Sequence, residues 1–91
     1  MTIQATDSAR LQLQAVVKML TRRNAGQAAR FVRETTALLA NCAVIEEAAV
    51  PIAGFSGLPV SEIVLQGIRL FFRTVDGTLW LTGVWRTLDA G

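Results

Sequence analysis

Ninety-one residues suffice for one domain, 1–91, and a hydrophobic share of 52% means that so small a core must be dense in large apolar side chains. The net charge of +2 is unevenly spread, with six basic and two acidic side chains in residues 1–45 against three and five in residues 46–91, and eight of the nine cations are arginine, which favours geometric recognition of carboxylate or phosphate. The lone Cys42 rules out an internal disulfide, Glu46 and Glu47 interrupt the longest apolar run well short of the roughly 18 to 20 residues that span a bilayer, and residues 1–10 lack the basic-then-apolar order of a leader, so a cytoplasmic protein without membrane contact is expected.

In chain order, residues 2–5 alternate and read as an edge strand with Ile3 and Ala5 turned inward. Thr6, Asp7 and Ser8 each offer an N-cap to an amphipathic helix whose buried stripe is Ala9, Leu13, Val16, Val17 and Leu20, with Gln12 among the outward residues. Arg22, Arg23 and Asn24 close it, and a second helix follows with Ala28, Phe31, Val32, Thr35, Leu38, Leu39 and Cys42 on one face. So short a link implies an antiparallel helical hairpin. Between Val44 and Pro59 the periodicity fails, and Pro51, Gly54, Gly57 and Pro59 mark a connection pinned by Ile52 and Phe55.

Residues 61–88 then read as three consecutive strands joined at Gln66-Gly67 and Asp76-Gly77, the latter a strong type I′ hairpin signal. A two-residue loop sets Val75 opposite Thr78, Arg73 opposite Trp80 and Phe72 opposite Leu81. Unbroken alternation then pairs Leu70 with Gly83, Arg69 with Val84 and Ile68 with Trp85. One face so derived carries Ile63, Leu65, Ile68, Leu70, Phe72, Leu79, Leu81 and Trp85, all apolar. The other carries Glu62, Val64, Arg69, Phe71, Arg73, Trp80, Thr82 and Arg86, with Glu62 near enough to Arg69 and Arg73 for an ion pair and Arg73 placed for a cation–π contact with Trp80. The predicted fold is α+β: a strand, an antiparallel helical hairpin and a three-stranded antiparallel meander (β-α-α-β-β-β), with the helices on the apolar sheet face.

The chain has no histidine and no tyrosine, and no P-loop, zinc-ligand spacing or GxSxG motif. Most enzyme classes therefore have no positive support, and neither a metal nor a cofactor is expected.

The segment GFSGLPVSEIVLQGIRLFFRTVDGTLWLTGVW (54–85) resembles the C-terminal half of the RelE/ParE superfamily of bacterial toxins, in which a phenylalanine and an LPxxE stretch precede a strand, a glycine and an arginine (here Gly67 and Arg69) open the next, and an acidic turn leads to a strand ending near VW. SARLQLQAVVKMLTRRNAGQAARFVRETTALLA (8–40) is similar to that family's helical hairpin, with its Asn-containing link before an Ala-Ala-Arg-Phe segment. The sequence departs from the family pattern at Ser61 (commonly arginine), at Ile68 and Phe72 (frequently tyrosine) and at Arg86 (often histidine), and the lost groups include those that nuclease members use for proton transfer.

The resemblance implies the toxin of a type II toxin–antitoxin system, partnered by a cognate antitoxin in a hetero-oligomer. Two branches of the family differ in target. A ParE-like toxin would bind DNA gyrase through Arg69, Phe71, Arg73, Trp80 and Arg86 and need no catalysis. A RelE-like one would be a ribosome-dependent endoribonuclease cutting mRNA, with Glu62, Arg69 and Arg86 as its catalytic groups. Because arginine cannot act as a base at neutral pH and an ion-paired Glu62 is a poor one, the ParE-like branch is favoured and the protein is expected not to be an enzyme. A toxin-fold protein that only binds its antitoxin is the third reading.

Overall fold

The computed structural model describes residues 2–52 and 60–86, so Phe55, Gly54, Gly57, Pro59 and the LP part of the LPxxE stretch lie outside the described residues. The fold is α+β. Strand β1 (Thr2–Ala5) leads into helices α1 (Asp7–Arg23), α2 (Ala25–Leu39) and α3 (Cys42–Ala48), followed by strands β2 (Val50–Pro51), β3 (Val60–Leu65), β4 (Ile68–Val75) and β5 (Thr78–Arg86). The five strands form one sheet in the order β1-β5-β4-β3-β2, with β1 parallel to β5 and the other pairs antiparallel. No helix among the described residues is long and apolar enough to cross a membrane.

Of the three candidate caps, Thr6 is the one used: its Oγ1 accepts from the Ala9 amide at 3.0 Å and satisfies one of the donors that a helix start leaves free. Asn24 serves both helices. Its amide closes α1 on the Leu20 carbonyl at 2.7 Å, and its Oδ1 accepts from the Gln27 amide at 3.0 Å to start α2, so the link between the two helices is a single residue.

The buried stripe of α2 was expected to run on to Cys42, yet the helix stops at Leu39. Asn41 restarts the chain as α3, its Oδ1 accepting from the Val44 amide at 3.3 Å. The connection expected from Val44 onward therefore contains most of a helix, held by the buried Ile45, and then β2, where Pro51 sits on an edge strand, a position that loses no ladder bond. Val32, placed on the inward stripe by its spacing, is 43% exposed.

Both turns of the meander place two residues at positive φ, Gln66 and Gly67 at 51° and 76°, Asp76 and Gly77 at 48° and 76°, as a type I′ hairpin requires. Pairing runs as expected from Val75 opposite Thr78 to Phe72 opposite Leu81. There the ladder slips by one residue. Phe71 faces Gly83, Leu70 faces Val84, Arg69 faces Trp85 and Ile68 faces Arg86, which leaves Thr82 as the extra residue of a β-bulge. The slip reverses the parity of everything beyond it: Val84 is buried and Trp85, expected in the core, is 60% exposed.

The core lies between the sheet and the helices. Phe31, Ile45, Leu70, Phe72 and Leu81 are its largest fully buried side chains, with Val16, Leu20 and Val84 in the same cluster.

The bulge is fastened on both sides. Thr82 Oγ1 donates to the Phe71 carbonyl at 3.4 Å, and the Val84 amide donates to Gln12 Oε1 of α1 at 2.9 Å. Gln12, expected to point outward, thus takes the place of a neighbouring strand, because β1 ends opposite Leu81 and leaves this stretch of β5 without a ladder partner. Gln12→Leu is expected to cost about 1 to 3 kcal/mol, the penalty for stranding a shielded amide. Denaturant unfolding with an unchanged midpoint would contradict that role.

Candidate functional site

Strands β3, β4 and β5 present a second face, turned away from the helices. Because Glu62 pairs with Phe71 and Val60 with Arg73, the positions Val60, Glu62 and Val64 line up with Arg69, Phe71 and Arg73, and Trp80 lies across from Arg73. Arg69, Phe71, Arg73 and Trp80 thus share one surface, as expected, each half-buried.

Arg86 does not join them. The bulge turns it to the helical side, where its Nη1 contacts Met19 Sδ at 2.9 Å. Trp85 takes the place on the open face that straight alternation assigned to Arg86. Its indole lies back over Gly83: a Cβ added to that glycine would come within 3.1 Å of Trp85 Nε1 and 3.4 Å of Phe71 Cδ2. A side chain here would press on both rings, and they would have to give by a few tenths of an ångström. The glycine is also the signal in the sequence that marks the bulge, since an isolated glycine inside a strand pattern often does.

The bulge opens a concavity of about 420 Å³ lined by Val60, Arg69, Phe71, Thr82, Gly83 and Trp85. Its charged wall is organised. Arg69 Nε donates to Glu62 Oε2 at 2.6 Å, and the Arg69 Cζ stands 5.0 Å from the centroid of the Phe71 ring. The ion pair was legible in the sequence; the cation–π partner was not, because the contact expected between Arg73 and Trp80 is made by Arg69 and Phe71 instead. Glu62 explains the choice by drawing the Arg69 guanidinium across the strand and over the ring. Among the described residues Arg73 has no carboxylate partner.

The side chains of Arg69 and Glu62 are 39% and 24% exposed, so their pair adds little stability, and its consequence is positional. A double-mutant cycle on Arg69→Ala and Phe71→Ala is expected to return a coupling of about 0.5 to 1 kcal/mol, while the same cycle on Arg73 and Trp80 returns none. Coupling found only in the second pair would contradict this arrangement.

Chemically the face offers stacking surface, two guanidinium groups and one carboxylate that is already paired. Arg69 can fork onto an oxyanion or a carboxylate but does not take up a proton. Glu62 is the sole carboxylate on this face among the described residues, and no group of three or more potential metal ligands occurs among them. Neither a family model nor a curated protein matches the chain.

Proposed function

We propose that the protein is the toxin of a type II toxin–antitoxin pair, a ParE-like inhibitor that binds DNA gyrase in the cytoplasm and is neutralised by a cognate antitoxin. The observation that carries this reading is the open sheet face. It combines Arg69, Phe71 and Trp85 around a concavity with Arg73 and Trp80 on the same surface, and Glu62, its sole carboxylate among the described residues, is held by Arg69 at 2.6 Å. Aromatic rings and arginines are the residues that dominate binding at protein interfaces, whereas acid–base catalysis needs a group free to move a proton. The resemblance of residues 8–40 and 54–85 to the RelE/ParE superfamily supplies the biological class.

One arrangement favours the RelE-like alternative, an mRNA endoribonuclease working on the ribosome: Glu62 and Arg69 stand side by side at the rim of the concavity, where an incoming phosphate could displace the carboxylate from the guanidinium. The antitoxin, under either reading, would present an acidic or amphipathic segment. The shallow groove of Leu13, Val17 and Val32 beside Lys18 on the helical hairpin suits a helix, and the sheet edge suits an added strand.

Expression in a bacterial host tests the proposal. Growth arrest relieved by co-expression of the adjacent gene, with plasmid DNA becoming relaxed before transcript levels change, is the expected outcome. A monodisperse, non-toxic protein indifferent to that gene's product would overturn it.

A further inference from the structure

Arg86, excluded from the open face, stands at a second site. Where α1 ends and β3 turns into β4, a cleft of about 160 Å³ is lined by Arg23, Gln27, Gln66 and Arg86 over the buried side chains of Leu20 and Ile68. These polar groups come from four different places: the last residue of α1, the first turn of α2, the type I′ turn and the last residue of β5. The fold thus brings two guanidinium groups and two carboxamides to one concave spot, whose lining is mainly polar where that of the open-face concavity is mainly apolar.

The charges there are unbalanced. Neither Arg23 nor Arg86 has a carboxylate partner among the described residues. Arg86 rests on a thioether, a weak acceptor, and Glu34, the carboxylate that reaches toward the cleft, accepts from Gln66 Nε2 at 3.3 Å and bonds neither arginine. Both arginines are exposed along the same cleft, where a tetrahedral oxyanion can accept from both forks at once. The apolar floor of Leu20 and Ile68 strengthens that attraction by excluding water beneath it.

We propose that this cleft binds a phosphate group, either inorganic phosphate or the terminal phosphate of a monoester. Arg23 and Arg86 clamp its oxygens and the Gln27 carboxamide donates to a third. The volume is ample for a phosphate group. The site is on the helical side of the sheet and is independent of the target reading of the open face.

The test is titration of ¹⁵N-labelled full-length protein with inorganic phosphate, and in a second arm with a nucleoside 5′-monophosphate, at constant ionic strength against chloride. Saturable shifts are expected at the Arg86 and Arg23 Nε–H and at the Gln27 carboxamide. Arg86→Met and Arg23→Met are each expected to weaken binding about tenfold, and Arg10→Met, elsewhere on α1, to leave it unchanged. Tighter binding of the monophosphate than of phosphate would identify an ester as the better ligand; equal binding would identify the free ion. Shifts equal to those in chloride, or centred on Arg69, Phe71 and Trp85, would overturn the proposal, and this mapping on the wild-type protein decides the matter even if a variant fails to fold.

Discussion

Phe72→Ala is expected to lower the free energy of unfolding by about 3 to 5 kcal/mol, the cost of removing a large ring from a packed core. Phe72 is 1% exposed and lies between Ser61 on β3 and Leu81 on β5, at the last pair before the ladder slips. For a domain whose total stability is about 5 to 15 kcal/mol, that loss approaches unfolding. The informative comparison is Trp85→Ala. Straight alternation would bury Trp85 on the same face and make its truncation as costly; the bulge leaves it 60% exposed, and the expected loss falls to about 1 kcal/mol or less. Equal penalties for the two variants in denaturant unfolding would restore the unbroken register and contradict the bulge.

The second large effect is functional and runs the other way. If the protein arrests growth as proposed, Trp85→Ala, nearly neutral for stability, is expected to reduce that potency about thirtyfold or more, as truncation of an aromatic anchor at the centre of an interface does. Trp85 and Phe71 close over Gly83 to form the wall of the open-face concavity, so both rings meet whatever docks there. Arg86→Ala is expected to leave potency unchanged, because Arg86 lies on the helical side. A dose–response curve of growth against titrated expression, normalised to protein level, checks both. Loss of arrest in Arg86→Ala with Trp85→Ala fully active would place the target surface on the wrong face of the sheet.

These two variants also mark where sequence reasoning reached and where it stopped. Local chemistry was readable: Asp76-Gly77 and Gln66-Gly67 announce turns because few residues tolerate positive φ, and Asn24 announces a helix boundary because its side chain competes for backbone amides. The pairing of Phe72 with Leu81 and of Glu62 with Phe71 follows from those turns by counting. Counting fails at Thr82, where one inserted residue moves Val84 into the core and sends Trp85 and Arg86 to opposite sides. Gly83 carried the warning, but its meaning depends on two rings brought together from different strands.

Other misses have the same origin. Ala40 caps the end of one helix and Asn41 the start of the next inside an apolar pattern that continues past them through Cys42, so periodicity alone runs on. Gln12 looks solvent-directed on a helical wheel, and only the shortness of β1 creates the unpaired Val84 amide that it meets. Arg69 and Arg73 are equivalent by parity, and the carboxylate of Glu62 separates them by fixing one over Phe71 and leaving the other without a carboxylate partner among the described residues.

On the proposed function the open face binds its target and performs no proton transfer, which is tested by DNA supercoiling by purified gyrase in the presence of the purified protein and of Glu62→Gln, with codon-position cleavage on translating ribosomes followed in parallel. Dose-dependent loss of supercoiling with both proteins, and intact mRNA throughout, is the predicted result. Ribosomal cleavage by the wild type that vanishes in Glu62→Gln, with supercoiling untouched by either, would contradict it.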